Sequence, residues 1–140
     1  MGDLFLLDTN GVSDIIKDRS PAIRQKVLAT RRAGDLVAIS VLSHAEIRFG
    51  FAKNPAASRL RAAFDIFLHE TPVLPWTEQV SESYAQLRLQ LGMGGRVVDT
   101  LDLLIASHAH ALGATLVTRD KGFRHLQELV HIVNWATDLN

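Results

Sequence analysis

The sequence contains no cysteine, and its positive and negative side chains cancel. Without cysteine the chain can form neither a disulfide nor a thiolate zinc site, and a cysteine nucleophile is excluded. The 15 Lys and Arg residues balance the 15 Asp and Glu residues, so the net charge is zero at pH 7. Any affinity for nucleic acid must therefore come from local patches of charge.

Long apolar runs are missing as well. No stretch approaches the roughly 18 apolar residues that a membrane span requires, and no basic segment precedes the apolar residues 4–7 as it would in a signal peptide. Hydrophobic residues make up 47% and charged residues 21% of the 140 positions, a composition typical of one globular domain. We therefore expect a single domain over residues 1–140, located in the cytoplasm and not in a membrane.

Short apolar segments alternate with segments of helical spacing along the chain. The predicted strands are residues 4–7, 36–40, 71–76, 114–118 and 130–135. The predicted helices are residues 13–17, 21–34, 41–53, 56–70, 77–91 and 99–113. The glycine-rich residues 92–95 are predicted to be a loop. This alternation predicts a mainly parallel sheet covered by helices on both faces, an α/β fold.

Acidic residues fall where the predicted strands end or where the helices after them begin. Asp8 follows the first strand, Glu46 comes shortly after the second, Asp102 lies in the first turn of the helix at 99–113, and Asp120 follows the strand at 114–118. Ligands of open α/β sheets bind beyond the carboxyl ends of the strands. We therefore expect these four carboxylates to converge on one edge of the sheet.

Each of these acids also has a purely structural explanation. Asp8 and Asp120 suit turns, and Asp102 suits the first turn of a helix, where the dipole favours negative charge. Ser43 and Glu46 have the spacing of a capping box, in which the glutamate reaches back to the start of its helix. Taken one by one, these explanations are as good as a functional one.

The four acids together are harder to explain without a ligand. Two carboxylates about 4 Å apart repel each other by roughly 4 kcal/mol at an effective dielectric near 20. A compensating cation would remove that cost, and magnesium takes one or two carboxylates directly while keeping several waters. A bound divalent ion can generate a hydroxide nucleophile and neutralise charge on a phosphate. The pattern therefore predicts metal-assisted phosphoester chemistry.

Four segments resemble, in order and spacing, the PIN-domain ribonucleases, specifically the VapC-type toxins of bacterial toxin–antitoxin pairs. They are "LLDTN..S", "S.LSHAEIRFG", "DLLIASHAHALGATLVTRD" and the closing "NW". The resemblance covers nearly the whole chain. It implies a PIN-like three-layer α/β/α domain with a short, mainly parallel sheet, acting as an endoribonuclease that depends on Mg²⁺ or Mn²⁺. It also implies an RNA substrate, a cognate VapB-like antitoxin and a homodimer, which the antitoxin can join into a larger complex.

The resemblance also assigns roles to the acids. Asp8, Glu46, Asp102 and Asp120 match the acidic quartet of the family. Asp8 and Asp102 correspond to the principal metal ligands. Glu46 and Asp120 would complete the site or position the attacking water.

Five further polar residues are candidates near the quartet. Thr9, Asn10 and Ser13 match the family's polar residues around the first acid, and we interpret Asn10 and Ser13 as groups that orient it. Thr118 is a further candidate in the segment before Asp120. Asp99 lies one helical turn before Asp102, and we interpret it as the N-cap of that helix, although membership of the acidic site is left open.

Three cations lie close in sequence to the acids. Arg96 precedes the helix at 99–113, and Arg119 and Lys121 flank Asp120. A basic rim around a metal-loaded centre would bind an RNA backbone, and single-stranded or loop RNA could enter such a cleft. We predict these three residues as RNA contacts, with solvated surface charge as the alternative for each.

Two other functions are compatible with these residues. In an aspartate-based phosphotransfer enzyme Asp8 would attack phosphorus, but that chemistry uses a second acid two residues later, where this chain has Asn10. A non-catalytic RNA-binding or protein-interaction module on the same fold is the other alternative. It predicts no metal dependence and no effect of Asp8→Asn, whereas the nuclease interpretation predicts loss of cleavage.

Overall fold

The computed structural model describes residues 2–93 and 98–136, with a five-stranded sheet at the centre. The strands are β1 (Leu4–Leu7), β2 (Leu36–Ser40), β3 (Val73–Leu74), β4 (Thr115–Val117) and β5 (Ile132–Val133). Their spatial order is β3-β2-β1-β4-β5, and each neighbouring pair is parallel. The predicted parallel sheet is therefore confirmed, with β1 in its middle.

Helices connect the strands and cover both faces of the sheet. They are α1 (Thr9–Ile16), α2 (Pro21–Arg32), α3 (Val41–Lys53), α4 (Ser58–Leu68), α5 (Glu78–Met93), α6 (Thr100–Leu112) and a 3-10 helix at Lys121–Leu126. Across residues 2–93 and 98–136, none of them is long and apolar enough to cross a membrane.

The sheet divides the core into two apolar layers. Successive side chains of a strand point to opposite faces, so Leu6 packs with residues of α5, α6 and the 3-10 helix, whereas Leu7 packs with residues of α1 to α4. Both of these leucines are fully buried. This arrangement is the predicted three-layer α/β/α fold, and burial on both faces explains why the strands are apolar runs without alternation.

Two predicted elements differ from the structure around the site. Helix α1 begins at Thr9 rather than at residue 13, because the Asp8 side chain caps it by accepting a hydrogen bond from the Gly11 amide. The loop predicted at 92–95 is wrong for Gly92, which lies inside α5. Met93 also belongs to α5, whereas positions 94 and 95 of the predicted loop and the RNA-contact candidate Arg96 lie outside the described residues.

The edge of the sheet and the approach to Asp120 also differ in detail. The strand predicted at 71–76 pairs only over Val73–Leu74, since the flanking prolines Pro72 and Pro75 have no N–H to donate. Asp120, whose residue type suits a turn, is the N-cap of the 3-10 helix that follows β4. Helix α6 ends at Gly113 as predicted, with a left-handed φ of 64°.

Candidate active site

The candidate site lies where the chain changes direction across the sheet. From β1 the strand order runs one way through β2 and β3 and the other way through β4 and β5. Such a switch point opens a crevice at the carboxyl ends of the strands. Leu7 is paired with Val117, so the next residues along, Asp8 and Thr118, are neighbours just beyond β1 and β4.

Asp8 is held at this position by three hydrogen bonds. Its backbone N–H donates to the Val117 carbonyl over 3.1 Å. Its Oδ1 accepts from the Gly11 amide at 2.8 Å, and its Oδ2 accepts from the Thr118 hydroxyl at 2.6 Å. The side chain is buried, with 3% of the residue exposed. A Cβ at position 11 would lie only 3.1 Å from Asp8 Oδ1, so glycine allows this close approach.

Thr118 joins two of the acids. While its hydroxyl donates to Asp8, the same oxygen accepts from the Asp120 amide at 3.0 Å. The Asp120 carboxylate in turn accepts from the Gly122 amide at 2.8 Å and caps the 3-10 helix. Thr118, named as a candidate from the sequence, therefore fixes the backbone of Asp120 relative to the carboxylate of Asp8.

Glu46 reaches the site from α3 and is bound by α1. The Thr9 hydroxyl donates to Glu46 Oε1 and also lies 3.2 Å from Ser43 Oγ. One hydroxyl proton cannot serve both acceptors, so with that proton on Glu46 the Ser43 hydroxyl donates to Thr9. Ser43, Thr9 and Glu46 therefore form a short chain of hydrogen bonds that directs Glu46 towards the site.

The capping-box interpretation of Ser43 and Glu46 is wrong. Helix α3 begins at Val41, and its N-cap is Ser40, whose hydroxyl accepts from the Leu42 amide at 3.1 Å. Ser43 and Glu46 thus lie inside the helix, and Glu46 is six positions after the N-cap instead of the three that a capping box requires. The side chain is available for Thr9 instead.

Asp99 and Asp102 come from the start of α6. Asp99 is the N-cap, as predicted: its Oδ1 accepts from the Leu101 amide at 3.0 Å and from the Asp102 amide at 3.4 Å. Asp102 faces the 3-10 helix. A Cβ at position 122 would lie 3.5 Å from Asp102 Oδ2 and 3.2 Å from Asp120 Oδ1, so both carboxylates border Gly122.

One open cleft of about 350 Å³ is lined by all of these acids. Its carboxylates come from Asp8, Glu46, Asp99, Asp102 and Asp120, and its other polar side chains from Thr9 and Asn10. Ser13 lies instead in the neighbouring hollow, which Thr9 and Glu46 also line. The four acids expected to converge thus share one cleft with Asp99, and their catalytic roles stay predictions.

The buried position of Asp8 disfavours its charged form. Burial first, and the negative charge of Asp120 after it, raise the pKa of Asp8 from 3.8 to about 6. The hydrogen bonds from Thr118 and Gly11 act against this shift, because they stabilise the carboxylate. At neutral pH an ionised Asp8 is therefore kept in the site at a cost in free energy.

Asp102 shows the same effect with more neighbours involved. Burial is the largest cause that raises the pKa of Asp102. The charges of four neighbouring carboxylates add to it, and the pKa reaches about 6; these neighbours are Asp120, Asp99, Asp8 and Glu46. Like charges disfavour one another's ionised forms. A cation in the cleft would reverse this effect.

The donor set fits a hard divalent cation. All of the charged side chains that line the cleft are carboxylates, and oxygen donors suit Mg²⁺ or Mn²⁺, whereas zinc and copper favour nitrogen and sulfur. In residues 2–93 and 98–136, no three acidic or histidine side chains are already gathered closely enough to hold an ion by themselves. A resident ion would therefore complete its coordination with water, as magnesium normally does.

The two RNA-contact candidates beside Asp120 differ in their surroundings. Arg119 forms an ion pair with Asp14, which the sequence did not single out; its Nε lies 2.8 Å from Asp14 Oδ2. Lys121 is exposed and lines the hollows on both sides of the 3-10 helix, as does the exposed Arg124. Within the described part of the chain, neither Lys121 nor Arg124 has an ion-pair partner.

Known proteins resemble this chain over nearly its full length. A family model described as "PIN domain" matches residues 5–129. The chain is 31% identical over 133 residues to "Ribonuclease VapC2" of Rickettsia felis, covering 94% of this chain and 98% of that protein. It is 32% identical over 135 residues to "tRNA(fMet)-specific endonuclease VapC" of Salmonella typhimurium, with the same coverage of 94% and 98%.

A solved structure shares the fold as well. The crystal structure of VapBC2 from Rickettsia felis bound to a DNA fragment from their promoter superposes with a TM-score of 0.86 at 29% identity, over 94% of this chain and 98% of that chain. The family match includes every acid that lines the cleft.

Proposed function

The chain belongs to the PIN-domain family, and from that membership we propose that it is an endoribonuclease and the toxin of a toxin–antitoxin pair. Its relatives carry the names ribonuclease and tRNA(fMet)-specific endonuclease, and a similar solved structure is a VapBC complex. The observation that carries the proposal is the cleft at the β1–β4 switch point, which five carboxylate side chains line. The reaction is hydrolysis of an RNA phosphodiester.

Asp8 and Asp102 hold a Mg²⁺ or Mn²⁺ ion in this proposal. Both carboxylates have a pKa raised to about 6, so a nearby positive charge would stabilise the forms that can bind it. When bound, such an ion supplies an activated water and neutralises charge on the scissile phosphate. Thr118 and Gly11 keep the Asp8 carboxylate in place through the bonds described above.

Glu46 and Asp120 orient the attacking water. One oxygen of each carboxylate accepts a hydrogen bond from the protein. The Glu46 carboxylate accepts from the Thr9 hydroxyl, and the Asp120 carboxylate accepts from the Gly122 amide. The second oxygen of each is left to accept a hydrogen bond from water. Asn10 lines the same cleft, where its amide group can donate to a phosphate oxygen.

The substrate strand extends past the acids over the 3-10 helix. Lys121 and Arg124 border the hollows next to Asp102 and Asp120, and their positive charge attracts backbone phosphates. A single-stranded segment fits this arrangement because unstacked nucleotides can enter a cleft. The partners that we propose besides RNA are a VapB-like antitoxin and a second copy of the chain, all in the cytoplasm.

The aspartate-nucleophile alternative gains no support from the site. Both oxygens of Asp8 accept hydrogen bonds and the residue is only 3% exposed. A carboxylate placed in this way is poorly exposed for attack on phosphorus, whereas its remaining lone pairs suit a ligand at the edge of a cleft.

The proposal is tested by RNA cleavage with purified, antitoxin-free protein. Total RNA and folded tRNA are incubated with Mg²⁺ or Mn²⁺, and again with chelator. We expect cleavage that needs the metal and that falls at least ~10²-fold in Asp102→Asn, on the scale of removing one electrostatic group from an active site.

Asp65→Asn is the matched control for that experiment. Asp65 is an exposed acid on α4 whose partner is Arg48, 3.4 Å away, and the same change there should leave cleavage intact. Equal activity of wild type and Asp102→Asn would contradict the proposal and favour a binding module or a contaminating nuclease.

A further inference from the structure

A half-buried ion pair, between the buried Asp14 and the more exposed Arg119, joins α1 to the segment that carries Asp120. Asp14 is only 4% exposed, and both of its carboxylate oxygens face the Arg119 guanidinium. Arg119 Nε lies 2.8 Å from Oδ2, and Nη2 lies 3.4 Å from Oδ1. The two residues are 105 positions apart in the chain, so the contact forms only when β4 is in place beside β1.

The ion pair is the second of two consecutive bonds between the same two segments. Thr118 donates to Asp8, the N-cap of α1, and the next residue, Arg119, binds Asp14 in the second turn of that helix. The following residue is Asp120. Residues 118–120 are thus fastened to α1 at two points, directly before an acid of the cleft.

The chemistry of this pair suits a fixed position. A guanidinium presents two parallel donors to a carboxylate, which sets the angle of the contact as well as its distance. Asp14 also raises the pKa of Arg119, by its hydrogen bond first and then by its charge. With Arg119 removed, a buried carboxylate would be left unpaired, which is far less favourable than the loss of an exposed ion pair.

We propose that Asp14 and Arg119 are positioning residues for the acidic site. Their ion pair fixes residues 118–120 against α1 and so sets the separation between the carboxylates of Asp8 and Asp120. The guanidinium of Arg119 is committed to Asp14, and it holds the site in place instead of contacting RNA. This inference rests on the proposed function for the role of the two carboxylates that it positions.

The experiment compares Asp14→Asn, Arg119→Gln and the double variant with wild type. The first measurement is amide hydrogen exchange in metal-free protein, where the Asp120 amide bonds Thr118 and the Gly122 amide bonds Asp120. The second is Mn²⁺ affinity by titration without RNA, and the third is kcat and KM for RNA cleavage. Arg48→Gln, which breaks the exposed pair with Asp65, is the control.

We expect both single variants to speed exchange at positions 120 and 122 before other sheet amides are affected. Mn²⁺ affinity should fall about 10- to 100-fold, as it does when groups that orient metal ligands are removed. The fall in kcat should follow the fall in Mn²⁺ affinity while KM for RNA stays constant. The double variant should be no worse than the poorer single variant, because both changes remove one interaction.

Other results would overturn the inference. If Arg119 contacts RNA, Arg119→Gln raises KM with exchange and Mn²⁺ affinity unchanged, and Asp14→Asn has no effect. If the pair only stabilises the fold, the melting temperature falls while exchange at 120 and 122 and Mn²⁺ affinity match those of wild type. Should Arg119→Gln fail to fold, Asp14→Asn and the double variant carry the test, since neither leaves an unpaired buried carboxylate.

The result also separates this inference from the proposed function. Wild-type protein that cleaves no RNA, but in which both variants loosen positions 120 and 122, would contradict the nuclease and leave the positioning role in place. Cleavage of RNA by wild type, with amide exchange at positions 120 and 122 unchanged in both variants, would support the nuclease and contradict the positioning role.

Discussion

The hydroxyl of Thr118 donates a hydrogen bond of 2.6 Å to the carboxylate of Asp8, across 110 positions of sequence. The two residues follow neighbouring parallel strands at the centre of the sheet. The bond is buried, so no water competes for the carboxylate at this point. The central acid of the cleft thus depends on a residue that only the folded sheet brings to it.

Replacing Thr118 by valine should impair the site with little change of shape. Valine fills nearly the same volume but cannot donate to Asp8 or accept from the Asp120 amide. We expect cleavage to fall about 10- to 100-fold, as for other groups that orient metal ligands. Thr118→Ser keeps the hydroxyl and should retain most activity; serine and valine variants of equal activity would show that the hydroxyl is dispensable.

The stability of the metal-free protein should depend on the protonation of Asp8 and Asp102. Burial first, and neighbouring charges after it, raise their pKa from 3.8 to about 6, so the folded state binds these protons more tightly than the unfolded state. The stability that the folded protein gains from binding these two protons is fully present below about pH 3.8 and is lost as the pH rises through about 6. For Asp8 the pKa shift corresponds to a change in the free energy of unfolding on the order of 3 kcal/mol. For the more exposed Asp102 the change is smaller, because solvent screens its charge.

The comparison that isolates this effect is wild type against Asp8→Asn, by thermal unfolding from about pH 4 to pH 8 in chelator. The amide has no charge to lose, so the variant should match wild type at low pH and become more stable than wild type above about pH 6. Saturating Mg²⁺ should reduce the difference, because it binds only the folded wild type. A difference that does not vary with pH would refute the assignment to Asp8.

Lys121 and Arg124 should contribute to RNA binding and not to the chemical step. In Lys121→Gln and Arg124→Gln we expect a higher KM at unchanged kcat, since neither side chain enters the acidic cleft. For single-stranded RNA, each lost phosphate contact should reduce the slope of log affinity against log salt by about 0.7. Arg59→Gln, an exposed arginine on α4, is the control; an equal effect there would mean that only net charge matters.

Two glycines should respond to alanine in opposite directions. Gly113 ends α6 with a φ of 64°, where alanine costs about 1 kcal/mol or more. Gly50 lies in α3 with open space around its Cβ position, so alanine should stabilise the helix by about 0.5–1 kcal/mol. The melting temperature should shift by roughly 2–4 °C per kcal/mol, down for Gly113→Ala and up for Gly50→Ala. If the melting temperatures of Gly113→Ala and Gly50→Ala shifted equally, α6 would not need glycine at its end.

Local patterns in the sequence predict much of the scaffold. The ends of β1 and β2 and the start of α3 agree with the structure because Asp8 and Ser40, which follow or end these apolar segments, cap the next helix. The arrangement of four acids at the ends of strands and the starts of helices points to one edge of a parallel sheet, and the cleft lies there. The N-cap role of Asp99 follows from the same kind of local reasoning.

Contacts between distant segments are what the sequence could not supply. In the sequence Asp14 is an ordinary acid at the start of the short helix predicted at 13–17, and only the pairing of β1 with β4 places Arg119 against it. Glu46 has the local spacing of a capping box, yet Ser40 is the residue that caps α3. The choice between two serines three residues apart depends on where β2 ends in the sheet, and a spacing pattern does not contain that information.

The strand order has a consequence for the cell in which this protein is made. The cleft needs Asp8 and Asp120 together, and after Asp8 a ribosome adds 112 residues (120 − 8), the last of which is Asp120. At about 5–20 residues per second this takes roughly 6 to 22 s. For about half of that time (99 − 46 = 53 of the 112 residues) the nascent chain carries Asp8 and Glu46 but no acid from the start of α6 or from beyond the end of β4. A translating ribosome therefore holds an incomplete cleft until the last part of the chain emerges, and an interrupted message yields a fragment that lacks it.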